Sequence, residues 1–256
     1  MRRFAAALAL LVVAGCGSAR PSAEEGLKRL APVQGATLSP RPAVAGSGEG
    51  GLAAYVARLA EDVSAVWRES FGDLAYEPAE VVALAGPERV ETKCNHAMSA
   101  DDPVGPFYCP DDDRVYLPLT FVERELLRRF GDFAVAYAVA HELGHHVQDL
   151  LGLLERQKQG TLPAIRVELQ ADCFAGVWAH SAYARGLLDK NDVDEAIRAE
   201  NLLGDADGTP DTDPRAHGIS GLRSAWFLTG YETGRPADCD PYPVRRRGET
   251  GGRDRR

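Results

Sequence analysis

The stretch Val139-Ala-His141-Glu142-Leu-Gly-His145-His146-Val147 places an H-E-x-x-H pattern inside a helical apolar run. Asp132 to Ala140 mixes alanine with apolar bulk, and Val147, Leu150, Leu151 and Leu154 continue one apolar face. The periodicity predicts helix over 132–156, with the motif in its middle. His141 and His145 then share a face, their Cβ atoms roughly 5–6 Å apart. Two imidazole nitrogens so placed can reach one Zn²⁺ at about 2.0–2.1 Å. Glu142 projects beside that face, where it can take a proton from activated water rather than bind metal. His146 sits about 100° round from His145 and is expected to face elsewhere. Gly144 costs such a helix about 1 kcal/mol relative to alanine. It is read as a place where another element approaches closely.

A catalytic zinc needs three protein ligands and an open position. A second helix is predicted over 163–188, with Pro163 in its first turn. Ile165, Leu169, Phe174, Val177 and Trp178 are its apolar bulk. Glu168 and Asp172 are four apart on one face, and two stacked carboxylates repel unless a cation lies nearby. Glu168 is the candidate third ligand. Asp172 is the candidate acceptor for the outer N–H of a ligand histidine, which would fix its tautomer. A solvated acidic face is the alternative.

Four segments in order, Gly105-Pro-Phe-Tyr-Cys-Pro110, Ala140-His-Glu-Leu-Gly-His-His-Val-Gln148, Glu168-Leu-Gln-Ala-Asp-Cys-Phe-Ala-Gly-Val-Trp-Ala-His180 and His217-Gly-Ile-Ser-Gly-Leu-Arg-Ser-Ala-Trp-Phe227, carry a family resemblance. The stretch over 50–242 resembles the bacterial neutral zinc metallopeptidases of the zincin group, with glutamate as third ligand. The resemblance implies an α+β fold, a mainly helical zincin-like domain with a small β-sheet above the motif helix. It implies one Zn²⁺ per chain held by His141, His145 and Glu168, Glu142 as general base and acid, and a protein or peptide substrate of unspecified sequence. The chain departs from the family pattern at Gly204-Asp205-Ala206-Asp207 and at Pro118, so Asp205, Asp207 and Pro118 receive no role.

Peptide hydrolysis builds negative charge on the scissile carbonyl oxygen, and a protein donor usually shares it with the metal. His217, Tyr137 and Arg223 are the candidates, with Asp213 close enough in sequence to orient His217. His217 lies in a Gly/Pro/Asp-rich loop, the kind of segment that commonly carries functional groups.

Arg2-Arg3 followed by an apolar stretch over 4–14 fits a secretory signal and is too short to span a bilayer as a helix. Val13-Ala14-Gly15-Cys16 resembles the lipobox of bacterial lipoproteins. Residues 1–15 are therefore expected to be removed, leaving Cys16 lipidated and the protein anchored outside the cytoplasmic membrane, or in an outer membrane if there is one. Residues 16–49, rich in Gly, Ala, Ser and Pro, read as a flexible tether with room for a short helix near 23–30. An exported compartment permits disulfides, and the four remaining cysteines allow three pairings. Cys94–Cys109 closes a short loop, leaving Cys173–Cys239 to brace the second helix beside Asp172. A zinc-thiolate role is the disfavoured alternative.

The formal charge is −9, yet residues 244–256 carry six Arg against one Glu and one Asp. The body is thus strongly acidic, which argues against nucleic-acid binding. The tail over 243–256 reads as basic and disordered. Further elements are expected as an amphipathic helix over 51–71, short strands over 80–84 and 114–119, and helices over 192–203 and 220–229. The Asp192-x-x-Glu195 pair is close to a capping box. The segment 114–121 is the candidate edge strand for pairing with extended substrate. A non-catalytic or latent envelope lipoprotein, using zinc for structure or partner binding, is the competing function. Glu142 speaks against it, because a structural site needs no base.

Overall fold

Helical periodicity turns into helix along most of the chain. The computed structural model describes residues 22–33, 49–94, 96–189, 191–205, 209–210 and 217–242. Residues 1–15, Cys16, Asp213 and the basic tail over 243–256 lie outside the described residues. In chain order the elements are α1 (Ala23–Arg29), α2 (Glu49–Phe71), β1 (Glu80–Leu84), β2 (Val90–Glu91), β3 (Ala97–Met98), β4 (Phe107–Cys109), β5 (Arg114–Pro118), α3 (Leu119–Phe121), a π-helical segment (Val122–Leu127), α4 (Arg128–Phe130), α5 (Asp132–Leu150), α6 (Leu153–Lys158), α7 (Ala164–Ala184), α8 (Asp192–Leu203), α9 (Ser220–Thr233) and a closing 3-10 turn (Pro236–Asp238). This is the expected mainly helical α+β fold with a small sheet.

The motif helix α5 lies at the centre, buried from Phe133 through Gly144. A helix apolar on all sides belongs inside a protein, and here α2, α7 and α8 surround it. The expected apolar side of α2, from Leu52 through Trp67, packs into the same core. Gly144 behaves as read: a Cβ there would press on the Ala171 carbonyl oxygen and Cα at 3.2 and 3.3 Å, so α7 runs close against α5. The helix ends earlier than 156, because Gly152 adopts a left-handed φ of 76° that only glycine takes up freely. The chain restarts as α6.

The α7–α9 crossing is closer still. A Cβ on Gly176 would collide with the Phe227 carbonyl oxygen, and one on Gly230 with that of Cys173. Beside this crossing, Cys173 is bonded to Cys239, and Cys94 to Cys109, the pairing expected from loop length.

The sheet order is β1-β5-β4, with β1 parallel and β4 antiparallel to β5. Arg114–Pro118 is therefore the central strand, which corrects the expectation of an edge there. Its burial on both faces from Val115 to Pro118 is the physical reason. Phe107–Cys109, which has too few residues to show a periodic signal, occupies an edge, and it packs against α5.

The short helix expected near 23–30 is present as α1, but residues 22–33 are docked on the domain and not a free tether, while residues 34–48 lie outside the described residues. Ser22 and Glu25 form a capping box at the start of α1, and Leu27, Leu30 and Val33 enter the main core. Ala31 N–H donates to the Ser70 carbonyl at 2.7 Å and Val33 N–H to that of Gly234 at 2.8 Å. Three apolar side chains spaced by three, hidden in a Gly/Ala/Ser/Pro-rich region, dock this segment on the domain. The Asp192 and Glu195 side chains both accept backbone N–H groups from outside their own helix. Asp192 accepts from the Asp189 N–H, while Glu195 accepts from Phe133 N–H in the first turn of α5.

Substituting Gly230 by alanine forces α7 and α9 apart. A loss of about 1–3 kcal/mol is expected, read as a lower urea midpoint at unchanged m-value. A wild-type midpoint would contradict the close crossing.

Candidate metal centre

One turn of α5 sets the His141 and His145 rings 4.8 Å apart between centroids and nearly perpendicular. Across the α5–α7 contact, Glu168 brings Oε2 to 3.5 Å from His141 Nε2 and Oε1 to 3.6 Å from His145 Nε2. One ligand atom from each of the three lies within 4.8 Å of the others. Two donors on a tetrahedral Zn²⁺ at about 2.0–2.1 Å lie about 3.3 Å apart. The donor set, two imidazoles and one carboxylate already converging at close to that spacing, fits zinc.

Each imidazole is held from behind. His141 Nδ1 lies 2.8 Å from Asp172 Oδ1 and His145 Nδ1 lies 2.8 Å from Gln148 Oε1. Both therefore place the Nδ1 proton on an acceptor and turn Nε2 toward Glu168, as assigned from the hydrogen-bond network. Asp172 is fully buried. Its Oδ1 also accepts from Tyr137 Oη at 2.5 Å and Arg223 Nη2 at 2.8 Å, and its Oδ2 from Arg223 Nε at 2.9 Å. Gln148 Nε2 donates to the Val167 carbonyl at 2.7 Å and to Gln170 Oε1 at 3.0 Å, and Gln170 Nε2 donates to the Cys239 carbonyl at 2.8 Å. The two glutamines were missed in the sequence. The available signal for Gln148 was its place one turn after His145, since a polar residue on a ligand-bearing face within a buried helix needs a partner.

The sequence-predicted residues separate cleanly. His146 points away from the cluster, with Nε2 2.6 Å from the Glu77 carbonyl and Nδ1 2.9 Å from Asp113 Oδ1. Tyr137 and Arg223, read as donors to a reacting carbonyl, bond Asp172 and also line the cavity. Glu142 lines the cavity beside the ligands, and so does the exposed His217. Asp205, to which the sequence assigned no role, holds the His217 loop. Its Oδ2 accepts from the backbone N–H of His217 at 2.7 Å and of Gly218 at 2.8 Å, with Oδ1 3.6 Å from His217 Nδ1. The cavity encloses about 620 Å³. Val104, Phe107 and Phe121 give it apolar lining, and Leu154 and Lys158 on α6 line it as well.

The imidazoles and carboxylates of the site shift one another's pKa values. Burial opposes charge on His141, but Asp172, Glu168 and Glu142 outweigh it and lift its pKa to about 10. His145 is raised in the same way, burial being overcome mainly by Glu168. Burial pushes the carboxylates up, yet the histidines hold Glu168 well below its ordinary value, and Arg223 and His141 hold Asp172 at about 2.

Two histidines on one helix, a glutamate from the next and Glu142 beside them form a donor set that could hold one zinc ion. The chain belongs to the family described as "Putative neutral zinc metallopeptidase", which matches residues 6–242. It is 38% identical over 195 residues to the uncharacterized protein YpfJ of Escherichia coli K12, covering 69% of this chain and 66% of that protein. It is likewise 38% identical over 212 residues to the uncharacterized protein Rv2575 of Mycobacterium tuberculosis H37Rv, covering 73% of this chain and 69% of that one. The chain thus spans about two thirds of the length of these relatives. No solved structure matches it.

Zinc binding would displace a proton from His141, whose pKa the Asp172 and Glu168 carboxylates raise to about 10. The sign follows: affinity rises with pH toward that value and falls as pH drops. Calorimetry of zinc binding at pH 7, repeated in buffers of different ionisation heat, is expected to show net proton release. Binding with no release would contradict the charge arrangement.

Proposed function

We propose that this chain is an exported, lipid-anchored zinc endopeptidase that hydrolyses peptide bonds with Glu142 as general base. The observation that carries the reading is the position of Glu142 on the wall of an open cavity, beside three converging ligands. His141, His145 and Glu168 would hold one Zn²⁺. The chemistry zinc supplies when bound is Lewis acidity toward water and toward the scissile carbonyl.

The protein's own groups do the rest. Glu142 accepts the proton of the attacking water and returns it to the leaving amine, so one carboxylate serves as base and then as acid. His217 donates an N–H to the carbonyl oxygen as negative charge develops there, with Asp205 fixing the backbone that carries it. Phe107 and Tyr108 bring the edge strand β4 to the cavity. An extended substrate chain would pair with that strand, its side chains alternating between cavity and solvent.

Localisation rests on the lipobox-like Cys16 and the apolar segment before it. No helix among the described residues is long and apolar enough to cross a membrane. α1 docks on the domain, and in the sequence five residues, 17–21, lie between Cys16 and Ser22. At about 3.3–3.6 Å per residue their reach is roughly 20 Å, so the peptidase works close to the bilayer. The acidic body argues against a nucleic-acid partner.

Glu142→Gln is expected to keep zinc while losing about 10²–10⁴-fold in kcat on a peptide library, and His217→Ala to lose about 10²–10³-fold with zinc retained. Zinc in wild type and Glu142→Gln with cleavage by neither would favour a binding module over an enzyme. Cys16→Ala is expected to shift the protein from the membrane fraction to the soluble exported fraction. A variant still pelleting with membranes would remove the lipid anchor.

A further inference from the structure

Among the described residues, Arg223 is a buried arginine at the candidate metal centre to which the proposed chemistry gives no role, although it lines the cavity. It sits in the first turn of α9 at 2% exposure. Its guanidinium reaches across to α7, where Nε and Nη2 grip the two Asp172 oxygens at 2.9 and 2.8 Å, and to α5, where Nη2 meets Tyr137 Oη at 3.0 Å. All three helices that build the centre therefore meet on this side chain. A carboxylate free to rotate about its χ2 torsion could follow the His141 ring to several orientations. A carboxylate gripped through both oxygens by a planar fork cannot, and Asp172 Oδ1 is left at one point, 2.8 Å from His141 Nδ1. With Nδ1 tied there, the far nitrogen of the same ring is directed at Glu168.

Delivery of Arg223 depends on the close approach of α9. Gly176 and Gly230 let the two backbones touch, and the Cys173–Cys239 bridge, formed at the residue next to Asp172, ties α7 to the chain following α9.

We propose that Arg223 is the positioning residue of the metal centre: reaching in from α9, it fixes the Asp172 carboxylate and through it the His141 imidazole, so that the zinc site is preformed. This rests on the zinc reading of the site and adds α9 to the elements that set its affinity. The requirement is for the fork and not for charge alone, because an ammonium offers a point charge without paired, coplanar donors.

The test is zinc affinity by competition with a chromophoric chelator, with the visible spectrum of the cobalt-substituted protein as a second readout. Arg223→Lys keeps the buried positive charge. It is expected to fold with a near-wild-type melting temperature, to bind zinc about 10–100-fold more weakly, the usual effect of losing an outer-shell partner, and to show an altered cobalt spectrum. Should Arg223→Lys fail to fold, the Asp172→Asn/Arg223→Met pair removes both buried charges together and is expected to show the same two changes. Either folded variant binding zinc with wild-type affinity and an unchanged cobalt spectrum overturns the proposal and assigns Arg223 to stability alone. A wild-type chain that fails to bind zinc sinks the peptidase reading itself, an outcome visible before any variant is made, and the proposal falls with it.

Discussion

The Asp172 carboxylate is the interaction on which the rest of the site depends. It is fully buried, and a buried charge survives only when its lone pairs are met. Here they are met by donors from two helices, Tyr137 and His141 from α5 and Arg223 from α9, converging on a residue of a third, α7. Removing one partner from such a pair typically costs about 3–5 kcal/mol, because the other charge is left uncompensated. The same carboxylate orients a metal ligand. Stability and function are therefore joined in one group, and the helices cannot shift relative to one another without disturbing both.

The close crossings follow from that demand. Side chains as short as aspartate meet a partner helix only when the backbones come near, and the three glycines at the contacts permit it: Gly144 between α5 and α7, Gly176 and Gly230 between α7 and α9. Each glycine is a poor helix former, costing about 1 kcal/mol relative to alanine. The local penalty is offset by the contact it allows. A second chain of amides, Gln148 to Gln170 to the Cys239 carbonyl, does for His145 what Asp172 does for His141. The two histidines thus have supports of different charge, one anionic and one neutral.

Much of this was legible in the sequence. The H-E-x-x-H spacing with Glu168 and Asp172 at four-residue separation marks ligands and support because helical geometry is local: residues three and four apart must share a face. The Glu80–Leu84 strand and the Asp192–Leu203 helix fall on their predicted bounds for the same reason. Errors came where meaning depended on distant partners. Residues 22–33 looked like tether because only three apolar residues, each needing a remote surface, hold them. The central place of β5 and the edge place of β4 are facts about strand order, to which period-two patterning is blind. Asp205, twelve residues before His217, reaches the His217 backbone by the path of the loop, which spacing does not reveal, while Asp213 lies outside the described residues.

The sequence by itself determined the chemistry on offer: two imidazoles and a base on one helix, two acids on the next, and cysteines free to bridge, because each of these is set by spacing within a helix or by residue type. Only the tertiary structure decided how those groups are used. It gave Tyr137 and Arg223 a hold on Asp172, sent His146 to the sheet side, and set Glu142 and His217 along the same cavity. The physical reason is that a buried polar side chain takes its role from whichever partner satisfies it, and those partners arrive from elements 31 to 86 residues away.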